Sequence, residues 1–290
     1  LKRYNKLKEK EMKTMNIKKF AAVAFILAFV SFAFAPAPDR ITVKGSDTMV
    51  ILAQKWAEVY MKSNPNTAIQ VTGGGSGVGI SALINGATDI ANASRKMKRT
   101  EMDKLKSRYN TLGVEVACAK DGITVYLHPS NKVQELTVEQ LGKIFRGEIK
   151  NWKEVGGDDK EIKLYGRENS SGTYVFFQEN VVKGDYAANC QTLPGTAAVV
   201  NAVKKDPNAI GYGGAAYAEG IEICKVKKDA NSAAYAANAE TIAKNQYPIT
   251  RYLYMYLKNK PTGAMKQYID WILSPEGQKL VVEMGYFPVK

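Results

Sequence analysis

Three short segments concentrate hydroxyl side chains, glycine and arginine at points where an apolar run gives way to a helical repeat. They are Gly45-Ser46-Asp47-Thr48-Met49, Gly73-Gly74-Gly75-Ser76-Gly77, and Arg167-Glu168-Asn169-Ser170-Ser171-Gly172-Thr173. A helix start exposes unpaired backbone N–H groups and a partial positive charge, which suit a small oxyanion. Glycine lets the backbone come close enough for those N–H groups to reach it. Arg167 adds a planar fork that can grip a tetrahedral anion bidentately while hydroxyls and amides take the remaining oxygens. Singly, each segment is ordinary. A Ser or Thr before a helix is most often an N-cap, a glycine run is often only a tight turn, and Arg167 has Glu168 beside it as a surface partner.

Other chemistry lacks its parts. No Gly-Lys-Ser/Thr follows the glycine run, so it is not a nucleotide phosphate loop. Val78 stands where both the dinucleotide fingerprint and the nucleophile elbow need glycine. His128 is the only histidine, and Cys118, Cys190 and Cys224 form no C-x-x-C pair. A zinc site or a histidine-based triad therefore has almost nothing to build from, and the expectation is a binding protein with no catalytic residues, metal or cofactor. The cysteines read as small buried apolar side chains, and an exported chain could pair two of the three.

The elements that must position these segments follow from periodicity. Ile41 to Val43, Ala68 to Val71, Asp89 to Ala93, Ile162 to Tyr165, Ile221 to Val226 and Ile249 to Leu257 read as strands. Val114 to Leu127 is strand material interrupted at Lys120-Asp121-Gly122. Helical spacing runs over Val50 to Tyr60, Val78 to Ile84, Tyr174 to Val182, Thr196 to Lys205, Gly263 to Leu273 and Pro275 to Met284. Thr137 and Gln140 form a capping box for a helix to Phe145. Alternation of this kind predicts an α/β fold with parallel strands. The segment Asp229 to Ala243, rich in Ala, Asn and Ser, reads as a linker or a poorly packed surface stretch.

Of the formal charge of +13, eight lysines and arginines against two glutamates place six in the first 33 residues and leave seven for the rest. Lys18 and Lys19, the apolar run Phe20 to Val30 and the small residues Ala33 and Ala35 describe a secretory signal that, with the residues upstream of it, takes up residues 1–35 and is cut after Ala33 or Ala35. That run is short for a membrane span. The remaining charge attracts anions generally, but no basic run interleaved with aromatics points to nucleic acid.

The three segments, together with Asp89 to Arg95, Leu141 to Trp152 and Ala209 to Tyr212, occur in the order that resembles the phosphate-binding proteins of ABC-type phosphate transporters, the PstS family. The resemblance spans about Ile41 to Val289, and Arg-x-x-x-Ser-Gly-Thr is its most specific element. It implies a two-lobed type II periplasmic-binding-protein fold with a hinge of crossing strands, lobe 1 being residues 36–120 plus 228–290 and lobe 2 residues 121–227. It further implies an exported, monomeric receptor that binds inorganic phosphate and hands it to the transporter's membrane subunits. Thr48, Met49, Ser76, Ser94, Arg95, Arg167, Ser171, Gly172 and Thr173 would contact phosphate, with Ser46, Asp47 and Ser170 as secondary candidates.

Two positions depart from better-known members. Arg95 follows Ser94 where some relatives have an acid that accepts the proton of phosphate and so excludes sulfate. Asp47 is then the candidate acceptor, although it could equally cap the following helix. Asn169 stands where some relatives have an acid that orients the arginine, leaving Glu168 for that task. The competing readings are an exported phosphoester hydrolase using Ser76 or Ser171, and an anion-binding adhesion or signalling module.

Overall fold

A computed structural model describes residues 38–289 and the isolated Met12; the signal expected over residues 1–35 lies outside the described residues except at Met12. The first strand, β1 (Asp39–Gly45), alternates exposed and buried positions and carries Ile41 and Val43 into the core. Helix α1 (Val50–Ser63) buries Leu52, Ala53, Trp56, Ala57 and Tyr60, the stripe that its apolar spacing predicts. Its anchor is Trp56, fully packed and donating its indole N–H to the Gly277 carbonyl at 2.9 Å. Strand β2 (Thr67–Thr72), helix α2 (Ser76–Asn85), strand β3 (Ile90–Ala93) and helix α3 (Arg99–Tyr109) follow. Helix α3 is mostly charged and buries only Leu105, which is why apolar periodicity does not reveal it.

Strand β4 (Val114–Leu127) is the long element of the molecule and organises the rest. Residues Val114 to Gly122 pair with β11 (Thr250–Leu257), whereas Ile123 to Leu127 pair with β8 (Ala209–Gly214) and Val125 to Leu127 also with β9 (Glu222–Lys227). The interruption expected at Lys120-Asp121-Gly122 is therefore no break. It is where one continuous strand changes neighbours. Strands β5 (Glu135–Thr137), β6 (Lys163–Arg167), β7 (Gln191–Leu193) and β10 (Ala234–Tyr235) complete the set. The sheet path runs β2-β1-β3-β11-β4-β8-β6-β7. Pairs β1–β3, β5–β9, β6–β7 and β6–β8 are parallel, but β11 with β3, β11 with β4 and β4 with β8 are antiparallel. The expected parallel sheet is thus a mixed one, because the two central strands run against the strands they join.

The helices pack on the two halves of this sheet. Helix α4 (Val138–Arg146) starts with the predicted capping box: Gln140 N–H donates to Thr137 Oγ1 at 3.0 Å and Thr137 N–H to Gln140 Oε1 at 2.9 Å. Helix α5 (Gly172–Phe177) begins two residues before the expected start and widens into a π-helical turn over Gln178–Val182. Helices α6 (Thr196–Lys205), α7 (Ala239–Ala243), α8 (Gly263–Ile272) and α9 (Pro275–Glu283) follow. The stretch read as a linker holds β10 and α7, with Asn238 capping Thr241 and Ile242 buried.

Two large hydrophobic clusters result. One gathers Ile41, Leu52, Trp56, Leu253, Tyr268 and Val281; the other gathers Val125, Leu136, Phe145, Phe177, Ile210 and Val226. Ile242, Tyr247 and Ile249 belong to the second cluster, although they follow residue 228 in the chain. Cys118 and Cys224 lie buried in different clusters, and all three thiols are free. Among the described residues no helix is long and apolar enough to cross a membrane.

Candidate functional site

Each expected loop leaves a strand end and turns inward. After β1, the Ser46 N–H donates to the Asn92 carbonyl at 2.8 Å, and a single helical turn over Asp47–Met49 brings Thr48 into the interior. The Met49 side chain is spent in the first cluster, so only its backbone can serve a ligand. The glycine run then crosses beneath, Gly75 N–H donating to the Gly45 carbonyl at 3.0 Å. Helix α2 starts at Ser76 with no side-chain cap. Ser76 Oγ accepts the Ser94 N–H at 3.0 Å and lies 3.3 Å from Ser94 Oγ. From the other half of the sheet, β6 ends on Arg167, and Ser171 caps α5 by accepting the Thr173 and Tyr174 N–H groups at 3.2 and 3.3 Å.

These loops meet. Thr48 Oγ1 and Thr173 Oγ1 share a hydrogen bond of 2.9 Å across 125 residues of chain, and Gly77 N–H donates to the Ser170 carbonyl at 2.9 Å. Gly75, at φ +94°, could not be replaced without crowding, because a Cβ there would sit 2.8 Å from that same carbonyl oxygen. Arg167 is 1% exposed and lies between the halves. Its Nη2 donates to Asp47 Oδ2 at 2.8 Å and to Glu168 Oε1 at 3.2 Å, and its Nη1 to Thr196 Oγ1 at 2.9 Å. Asp47 Oδ1 accepts the Gly74 N–H at 2.8 Å, so the carboxylate is held from two sides.

A family profile described as a PBP superfamily domain matches residues 33–276. The chain is 32% identical to a phosphate-binding protein PstS of Pseudomonas aeruginosa, with 95% of this chain and 96% of that protein covered. It is 33% identical to a phosphate-binding protein PstS of Bacillus subtilis, covering 87% of this chain and 82% of that one. The chain belongs to the PstS family. A solved phosphate ABC transporter substrate-binding protein from Clostridium perfringens, with bound phosphate, superposes at a TM-score of 0.80 with 31% identity, over 87% of this chain and 100% of that chain. An ABC-type phosphate transport receptor from Vibrio cholerae matches at 0.69 with 29% identity, over 85% and 99% of the two chains. The fold is thus the α/β type II periplasmic-binding-protein architecture of PstS proteins.

Set against the PstS expectation, Thr48, Ser76, Ser94, Arg167, Ser171, Gly172 and Thr173 come together, with Ser46, Asp47 and Ser170 at their edge. Arg95 behaves differently. Its two terminal nitrogens face Glu101, at 2.8 and 2.7 Å, and one also reaches the Lys96 carbonyl. Glu101 also accepts the Lys98 N–H at the start of α3. The charge of Arg95 is therefore already matched by a carboxylate on its own half. Burial works to raise the Glu101 carboxyl, but the hydrogen bonds from Arg95 and Lys98 and their charges bring it below its usual range. Its folded value lies under the unfolded one, so its stabilisation is present above the unfolded value of about 4.3 and fades as pH falls through the folded one. Glu101→Gln should lower Tm near neutral pH by roughly 4–8 °C, for about 2 kcal/mol lost at a charged pair of hydrogen bonds. Thermal melts should show that gap closing below about pH 4; a gap that persists in acid would mean packing, not charge.

Four residues that the sequence does not single out join this cluster. Arg251, 5% exposed, donates through Nη2 to Thr173 Oγ1 at 2.9 Å and Thr48 Oγ1 at 3.4 Å, and through Nη1 to the Ser94 carbonyl at 2.9 Å. Asp121 pairs with it at 2.8 Å. Thr196 supports Arg167, and the Tyr217 hydroxyl donates to the Asp47 carbonyl at 2.7 Å. Burial, aided by the Asp47 charge, pushes that hydroxyl up to about 12. The cue available for Arg251 was an arginine at the head of the apolar and aromatic run Tyr252 to Leu257. Across the site three arginines, Arg95, Arg167 and Arg251, face four carboxylates, Asp47, Glu101, Asp121 and Glu168. No grouping of His, Cys, Asp and Glu suited to a metal ion occurs among the described residues.

Proposed function

We propose that this chain is an extracytoplasmic receptor that encloses inorganic phosphate between two lobes and delivers it to an ABC-type phosphate transporter. The observation that carries the reading is that loops from the two halves of the sheet meet, Thr48 on Thr173, Ser76 and Ser94 against Gly172, and the buried Arg167 fork on Asp47. A tetrahedral anion offers acceptor oxygens to the same hydroxyls that bond one another there, and to the N-terminus of α2, which has no side-chain cap. The relatives named as PstS and the phosphate-bound Clostridium perfringens structure support the ligand. Because the site arginines are matched by carboxylates, phosphate is held mainly by oriented hydroxyl and amide dipoles, with Arg167 as the charged contact.

The two hydrophobic clusters are the cores of the lobes. In this reading the first crossing is near Asp121, where β4 changes neighbours, and the return crossing is at the start of β11, a division supported by the packing of Ile242, Tyr247 and Ile249 with the second core. Residues 1–35 act as a signal peptide removed on export, and the receptor works as a monomer that docks on the transporter's membrane subunits. It acts by binding and release, breaking no bond. The one histidine, His128, accepts the Ser130 N–H and bonds the Ser130 hydroxyl in an exposed turn, whereas Ser76 and Ser171 are buried, so no histidine serves either serine as base.

Asp47 serves as acceptor for the proton that phosphate retains, in addition to orienting Arg167. Calorimetry on protein unfolded, stripped of ligand and refolded should show heat with phosphate and none with sulfate. Asp47→Asn should weaken phosphate by roughly tenfold and let sulfate compete, since an amide turned toward Arg167 replaces the acceptor. Heat with sulfate alone in the parent would refute the receptor assignment, and unchanged sulfate exclusion in the variant would move the acceptor role to Glu168.

A further inference from the structure

Asp121 and Arg251 face each other directly in the β4–β11 ladder, one residue before the last pair, Gly122 with Thr250, after which β4 changes neighbours. Their side chains are 1% and 2% exposed, and Asp121 Oδ2 accepts from both Nε and Nη2 of Arg251, at 3.1 and 2.8 Å. An ion pair so deeply buried is a costly way to join two strands, since apolar side chains of similar volume hold a core as well or better. Burial indeed raises the Asp121 carboxyl against the pull of its partner. What distinguishes this pair is where its remaining donors go: Thr173 and Thr48, one hydroxyl from each half, and the Ser94 carbonyl, with the Phe176 ring 5.6 Å from the guanidinium carbon.

The proton inventory follows from the groups themselves. A guanidinium only donates, so neither threonine can direct its own hydroxyl hydrogen at Arg251. The two hydroxyl oxygens lie 2.9 Å apart and share one hydrogen between them. The second hydrogen is left to point into the site, and the ligand oxygen it meets has to be an acceptor. With Arg251 in place, the threonine that accepts its neighbour's hydrogen has both lone pairs filled and can only donate to the ligand; without Arg251 one of those lone pairs is free to accept a proton from the ligand.

We propose that Arg251, held by Asp121, is a positioning residue that fixes the Thr48 and Thr173 hydroxyls as a donor to the ligand and thereby makes the site prefer the doubly charged form of phosphate. The inference rests on the phosphate reading of the site. Other titratable or charged groups facing the pair are Arg167, Tyr126, Tyr217, Tyr247 and Tyr286. Burial pushes all four tyrosines up, so none of them ionises near neutral pH. Arg95, Lys96, Lys98 and Glu179 line the cavity of about 380 Å³ on the other side of Arg251 and make no hydrogen bond to it.

The test is phosphate affinity measured by calorimetry from roughly pH 6 to pH 8, across the second ionisation of the ligand. In the parent, binding should strengthen with the dianion fraction. The double variant Arg251→Met with Asp121→Leu keeps the volume and removes the donors; it should bind at least about tenfold more weakly at the upper end, with a flattened pH profile. Should that variant fail to fold, Arg251→Gln with Asp121→Asn keeps polar groups that can donate or accept, and the same flattening is expected. A folded variant with the parent's affinity and the parent's slope overturns the proposal. A parent that binds no phosphate at any pH removes the phosphate reading itself, and with it this inference.

Discussion

Replacing Arg167 with alanine is expected to weaken phosphate binding by at least about a hundredfold. The guanidinium is 1% exposed and makes four hydrogen bonds, to Thr196, Asp47 and twice to Glu168. Truncating one member of a buried, hydrogen-bonded charge pair costs roughly 2–5 kcal/mol, and each 1.4 kcal/mol is a factor of about ten. A second cost adds to the first. Without Arg167, Asp47 and Glu168 present two unmatched carboxylates to a dianion. Arg167→Lys should recover only part of the loss, because an ammonium is a point charge and cannot bridge Thr196 and Asp47 with a planar fork. Calorimetry on the stripped protein, with circular dichroism to establish folding, is the measurement. An affinity within tenfold of the parent in a folded Arg167→Ala protein would remove Arg167 from the ligand.

The second large effect is expected from a single methyl group. A Cβ on Gly172 would lie 2.3 Å from Ser76 Oγ, 2.6 Å from Ser94 Oγ and 3.0 Å from Ser76 Cβ. Both serines are fully buried, so neither hydroxyl has room to swing away. Gly172 opens α5 without a left-handed φ, and alanine is the better helix former, so the helix itself accepts the change. The clash therefore falls only where the two halves meet. Gly172→Ala should cut phosphate affinity by about a hundredfold or more. Melting with and without phosphate reads this directly. Ligand at a hundred times Kd stabilises by about 2.7 kcal/mol, and the variant should lose that shift at the same concentration. A full shift in the variant would mean that the halves do not close on Gly172 when phosphate binds.

The residues around Arg167 were legible because each carries a local signal. Ser46 to Met49, Ser76 and Ser171 to Thr173 all sit between a strand end and a helix start, and that placement follows from backbone sterics and hydrophobic spacing within a dozen residues. The capping box at Thr137 and Gln140 is local in the same way, and it formed as read. Arg95 shows the limit of such reading. Its place after Ser94 points to the anion, but its partner Glu101 lies on a helix with one buried residue, too polar to register as periodic.

The motifs of the sequence carried the resemblance to the PstS family, and the sequence alone determined the α/β class and the order of the main strands and helices. These depend on turn chemistry and periodicity, which neighbouring residues decide together. Only the tertiary structure decided that β4 is one strand with two sets of neighbours, that the sheet is mixed, and that Asp121 and Arg251, 130 residues apart, meet beneath Thr48 and Thr173. An arginine buried in a strand has no preferred partner along the chain. Its partner is chosen by the cost of leaving a charge unpaired inside the protein, and that cost exists only once the two halves have closed water out.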